Sequence, residues 1–262
     1  MKVYHLQGFG IDATSGNKAD VIIADRFDEL ARQAYAADTA IPVCVFIDNL
    51  TLGQLKVSFY YPHRQSPLCL HGSLAAAKVY FDIFPNETEL QLISSFGKQI
   101  RVSKNEYNEI YLQAKADFVQ PANEYFLQIS NFLGCDEQQI IGELVISSVG
   151  SPKLLVQLVD VDCLFSLQPD LTAIVEWGKI QQINGIYAYS NSNGIINGRN
   201  FNHLESGLED SATGVAVGAL SLYLQQDIKV HQGWNLGNKC LIIAKYLSAD
   251  EIIISGNVTY LL

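Results

Sequence analysis

"CLHGSLAAAKVYF" fills residues 69–81 and "TGVAVGALSLYL" fills residues 213–224. Setting Cys69 against Thr213 lays one stretch on the other at an offset of 144 residues (213 − 69). Few letters match, but both begin with two turns of small residues and carry aromatic residues near their ends. A helix that is apolar on nearly every face must be buried. Each stretch therefore reads as the central helix of its own half-chain.

The surroundings repeat as well. Strand patterns at "KVYHLQ" and 19–25 precede a helix over about 27–38, where Phe27, Leu30, Ala31, Ala34 and Tyr35 make one apolar stripe. Strands follow at 42–48 and 55–61, then the helix at 70–81 and three strand-like runs within 89–116. The second half restarts with a short helix that ends at Gly134. After it come strands "LVISSV" and "KLLVQLV", a helix from Pro169, strands "GIYAYS" and "IINGRNF", and a small-residue helix over 211–224. "KCLIIAKYL" and "EIIISGNVTYLL" close the chain. The expected architecture is α+β, with two pseudo-equivalent lobes, each a mixed sheet curled around one central helix. The expected boundaries are 1–117 plus 250–262 for the N-terminal lobe and 118–249 for the C-terminal lobe, with a cleft between them.

Bulk composition narrows the function. The chain has 262 residues, 48% hydrophobic and 17% charged, which is ample for a folded core. Its 17 basic and 27 acidic residues leave a net charge of −10 without a basic cluster, so nucleic acid is not an expected partner. "MKVYHLQGFG" lacks the apolar region of a signal peptide, and no apolar run is long enough to span a bilayer. A cytoplasmic protein with reduced cysteines at 44, 69, 135, 163 and 240 is expected, acting on a small molecule and not at a membrane.

The polar chemistry gathers where the two central helices begin. Cys69, His71, Gly72 and Ser73 enter one; Glu209, Asp210, Ser211, Thr213 and Gly214 enter the other. A helix N-terminus offers unpaired N–H groups and partial positive charge, which suits a small carboxylate. Gly72 and Gly214 would let ligand atoms reach those amides. Taken singly, each residue has a plain structural reading. Asp210 or Ser211 suits an N-cap, Cys69 a small core filler, and His71 a hydrogen bond to a loop carbonyl. His71 also titrates near neutrality and suits proton transfer.

Four segments resemble the phenazine-biosynthesis PhzF family of the diaminopimelate epimerase-like fold. "SGNKADVI" (15–22) is similar to the family's GGNPAAVV-like segment, which assigns Asn17 to substrate binding. "PLCLHGSLAAA" (67–77) resembles PF(C/A)GHATLAAA, with His71 on the family histidine. "GRNFNHLESGLEDSATGVAVGAL" (198–220) is similar to RxFxPxxGxxEDPATGSAAGAL, and "HQGWNLGNK" (231–239) to a QGxxxGRP-like stretch.

The resemblance implies an isomerase or epimerase that moves a proton within a small carboxylate-bearing metabolite, with no cofactor and no metal. His71 and Asp210 would be catalytic, and Asn17, Gly72, Ser73, Thr213 and Gly214 would bind substrate. A homodimer is a family-level expectation. Three departures stand out: Ile41 or Pro42 occupies the place of the family's proton-shuttling Glu, Val215 replaces a motif serine, and Leu70 replaces the glycine before the family histidine. Two alternatives follow. One is a member that binds a small acid or a protein partner without turnover. The other uses Cys69, at a position where racemases of this fold place a catalytic thiol, although Thr213 stands at the second thiol position.

Overall fold

A computed structural model describes residues 1–24, 27–39, 41–201 and 209–261. The end of the strand expected at 19–25 and residues 202–208 of the long motif lie outside the described residues. The chain forms two compact units, residues 1–114 with 254–262, and residues 115–253.

In the first unit β1 (Lys2–Gly8) pairs antiparallel with β2 (Asn17–Ile23). Helix α1 (Glu29–Thr39) then leads to β3 (Val43–Thr51), parallel to β2. β4 (Gln54–Tyr61) returns antiparallel to β3. The short β5 (Arg64–Ser66) folds back on the end of β4 and delivers the chain to α2 (Leu70–Ile83). β6 (Glu89–Ser94), parallel to the start of β4, continues antiparallel into β7 (Gln99–Lys104) and β8 (Ile110–Lys115). α2 packs on β1, β2 and β3 and buries ten of its residues, including Leu74, Ala75, Ala76 and Ala77.

The other face of this sheet is covered by α1, with Ile22, Ala36, Cys44, Phe46 and Tyr60 as its core. The stripe expected for α1 is only partly right. Asp28 caps the helix by accepting from the Ala31 N–H at 2.8 Å, so Phe27 lies ahead of it and packs on Tyr35 and Phe46. Leu30 is 83% exposed because that start turns it away from the sheet.

The second unit repeats this path. β9 (Phe118–Pro121) pairs with β10 (Ile140–Ser148), α3 (Phe126–Leu133) lying between them in the chain. β11 (Pro152–Leu158) is antiparallel to β10. Helices α4 (Val161–Ser166) and α5 (Leu171–Gln181) follow, each started by an aspartate cap, Asp160 and Asp170. β12 (Ile186–Ser192) is parallel to β11, and β13 (Ile195–Phe201) is antiparallel to β12. The short β14 (Glu209–Asp210) pairs with β13 and feeds α6 (Gly214–Leu224). β15 (Ile228–Gln232) runs parallel to β13, and β16 (Cys240–Ser248) returns antiparallel. β17 (Glu251–Ser255) carries the chain back to the first unit, where β18 (Val258–Tyr260) pairs with β1.

Strand for strand the two units match in order and direction, down to the two short strands that feed the central helices. α6 packs on β10, β11 and β16, while α3, α4 and α5 cover the other face over Ile146, Leu154, Val156, Trp177 and Phe201. Gly134 ends α3 in the left-handed region at φ 63°, where glycine avoids the strain of a side chain. Among the described residues no helix is long and apolar enough to cross a membrane.

Candidate active site

Cys69 and Thr213 are the N-caps of α2 and α6, so the sequence offset survives as a structural equivalence. Neither side chain caps its own helix. The Cys69 sulfur instead lies 3.3 Å from Nδ1 of His71, and the Thr213 hydroxyl donates to Oδ2 of Asp210 at 2.6 Å. An uncapped start leaves N–H groups without an intrahelical partner, a costly arrangement unless something else engages them.

At the start of α2, Cys69 is buried and His71 half-buried. Burial alone pushes the thiol up. The charge and hydrogen bond of His71, the Gly72 N–H and the Tyr61 hydroxyl together outweigh it and hold the thiol below its ordinary value of 9.0. The imidazole thus draws the Cys69 thiol towards its thiolate form.

Ser73 has both donors committed to the Cys69 carbonyl, its N–H and its hydroxyl each at 2.8 Å. Gly72 is a glycine for a different reason from the one expected. A Cβ there would sit 3.0 Å from Val45 and 3.1 Å from Phe59, so its bare side faces the sheet, and close packing of helix on strands requires it. Asn17 is buried at the start of β2, opposite Gly8, and Gly8 lies against His71. That brings Asn17 to the same end of the unit as the helix start.

Ile41 and Pro42 precede β3 at that same end, since β2 and β3 run parallel with Ala19 beside Val43. Ile41 and Pro42, which the resemblance set in place of the family's Glu, are therefore at the Asn17 end of the sheet. Asp48, a strand-length further on, is occupied elsewhere: it pairs with Arg32 of α1 and accepts from Ser58 at 2.6 Å.

At the start of α6, Asp210 is fixed from several sides. Its carboxylate takes the Thr213 hydroxyl and the Ala212 N–H, the latter at 3.4 Å. Its carbonyl accepts from Gln232 Nε2 at 2.7 Å, and the same amide donates to Thr213 at 3.0 Å. Gln232 Oε1 in turn accepts the Thr213 N–H and the Tyr187 hydroxyl. Glu209, one residue back and on the opposite face, holds Arg199 in a buried two-point ion pair at 2.9 and 2.8 Å. Arg199 also donates to the carbonyls of Leu164 and Leu167, which anchors β14 to α4. Gly214 opens the helix and is buried.

Residue typing missed Gln232. Its only signal was membership of the "HQGWNLGNK" stretch. Among the described residues no three His, Cys, Asp or Glu side chains converge as metal ligands.

A family model described as phenazine biosynthesis-like protein, PhzC-PhzF, matches residues 6–246. No curated protein matches the chain. The PhzF-family phenazine biosynthesis protein of Bacillus anthracis superposes with a TM-score of 0.83 at 17% identity, covering 100% of this chain and 98% of that one. A predicted epimerase from Pseudomonas aeruginosa gives 0.81 at 18% identity, over 99% and 96% of the two chains. A hydroxyproline epimerase from Agrobacterium vitis, with trans-4-hydroxy-L-proline bound, gives 0.59 at 13% identity, over 98% and 90%. All share the fold.

Proposed function

Because the chain belongs to the PhzF family of phenazine biosynthesis-like proteins, we propose that it is an isomerase or epimerase acting on a small carboxylate-bearing metabolite. The reaction is a proton transfer that needs no cofactor. The Cys69–His71 pair at the start of α2 carries this reading.

The pair holds one exchangeable proton between a sulfur and a ring nitrogen, and the half-exposed imidazole is the member that faces outward. In the tautomer that keeps this proton on the sulfur, the neutral imidazole is the base and removes a proton from the carbon next to the carboxylate. The electron pair passes into the carboxylate, and the proton returns at another carbon or on the other face. The amides at the helix start, with their partial positive charge, favour the enediolate over the ground state. At the start of α6, the Asp210 carboxylate, which accepts from the Thr213 hydroxyl, offers an acceptor to an amine or hydroxyl of a ligand. A predicted epimerase and a hydroxyproline epimerase among proteins of the same fold support this class of chemistry.

A second reading, ligand binding without turnover, is favoured by Ile41 and Pro42 at the family Glu position. Deuterium wash-in from D₂O over a panel of amino and hydroxy acids separates the two. Exchange that disappears in His71→Ala and Asp210→Ala supports the isomerase. A ligand-induced thermal shift without exchange supports the binding protein. If both variants keep exchange and thermal shift unaltered, neither helix start is the site.

A further inference from the structure

Register pairing gives each unit a row of residues under its central helix. In the first unit the row is Ser66, Phe59, Val45, Val21, each paired with the next across the sheet. In the second it is Asp210, Asn200, Tyr187, Leu155, paired in the same way. Two residues back along the innermost strand, Ala19 corresponds to Lys153. Beyond Ser66 the first row is apolar (Phe59, Val45, Val21, Ala19), whereas the second carries Asn200, Tyr187 and Lys153 beside Leu155.

Two members of the second row are poorly satisfied. Asn200 is fully buried, and neither its Nδ2 nor its Oδ1 has a hydrogen-bond partner among the described residues. Lys153 is 1% exposed. It faces α6, since its cross-strand partner Ser147 donates to the Ala219 carbonyl at 2.8 Å. Among the described residues the ammonium makes one hydrogen bond, to the carbonyl of Asn184. The charged group acting on it is Asp210 of β14; its cross-strand partner Ser147 of β10 adds a hydroxyl, and Gly214–Ser221 of α6 add no titratable group. Arg199, the other buried cation of this unit, is spent on Glu209 on the opposite face.

Such groups are expensive to bury without partners, and apolar residues at these places would do the structural work better, as the first unit shows. We propose that Lys153 and Asn200 hold the anionic end of the ligand at the start of α6, with Lys153 balancing the charge of Asp210. The proposal rests on the reading that this helix start takes a carboxylate, and it adds the groups that make a carboxylate tolerable beside Asp210. Burial, opposed by the Asp210 charge, pushes the Lys153 ammonium down to about 7.

The test uses the whole chain and acetate as the probe, with binding followed by ¹³C line broadening and stability by melting temperature. Lys153→Met and Asn200→Leu are each expected to weaken acetate binding about tenfold or more while raising the melting temperature. Lys153→Arg, which keeps the charge, is expected to retain more binding than Lys153→Met. Unchanged binding in both the Met and Leu variants overturns the proposal. So does a Lys153→Met variant that melts lower and still binds, which would make the lysine structural. Absence of acetate binding to the unmodified protein overturns it too. If acetate binding depends on Lys153 but no acid exchanges deuterium, the isomerase reading fails and the anion site stands.

Discussion

The starts of α2 and α6 are one backbone design carrying two chemistries. Ser66 faces Asp210 in the comparison, Cys69 faces Thr213 and His71 faces Val215, all at the same offset. The first unit contributes a thiol and an imidazole, groups that exchange protons. The second contributes a carboxylate braced by a hydroxyl, a glutamine and an anchored strand. The two units keep one strand order and register while the residues at their helix starts differ in chemistry.

The sharpest way to break this comparison is to remove the base. His71→Ala is expected to lower deuterium exchange by about 10²–10⁴-fold, the usual worth of a general acid or base. Asp210→Asn should weaken ligand binding more than it slows exchange of bound ligand, measured as a KM-against-kcat split. A larger effect on kcat would put the chemistry in the second unit. Alkylation of Cys69 by iodoacetamide should titrate below the ordinary thiol value of 9.0 and move upward in His71→Ala, which loses the charge that holds the thiolate.

Gly72→Ala tests the packing half of the comparison. With Val45 and Phe59 about 3 Å from the new methyl, a cost of about 1–3 kcal/mol is expected in denaturant unfolding. Ala216, three residues after the Thr213 cap as Gly72 is after Cys69, already carries a Cβ. A smaller effect follows from Lys153. The folded protein binds this proton only below about 7, whereas the unfolded chain binds it below 10.5. Over that window the unfolded state holds more protons, so stability rises with pH. The advantage of Lys153→Met in melting temperature should therefore be full at and below neutrality and shrink towards pH 10. The smallest effect expected is that of Asp48→Asn, within about 1 kcal/mol and without change in exchange, because its partner Arg32 is on a partly exposed surface.

Much of the fold could be read from periodicity. The small-residue helices, the three strands in 89–116 and the glycine that ends α3 all signal themselves over several residues. β5 and β14 span three and two residues, too few to show any period, yet they place both helix starts. Helix α4 was hidden because six residues give less than two turns of pattern. In the site, His71 and Asp210 stood out by residue type and setting. Gly72 misled, since sequence cannot say whether a glycine makes room for a ligand or for a neighbouring strand. Lys153 left a faint trace as the one charge within "KLLVQLV". Asn200 left none, because an amide in a strand draws notice only when its partners can be counted.

The pairing of β18 with β1 has a consequence for how the molecule is made. Leu6 through Gly8 meet Val258 through Tyr260, and Phe9 donates its N–H to Asn257 at 2.6 Å. During synthesis the first strand must therefore wait with one edge open while the whole second unit emerges. Residues 115–253 can reach their native pairings first, and the older half of the chain is the last to be sealed. Pulse-labelled hydrogen exchange during refolding should find β10–β13 protected before β1.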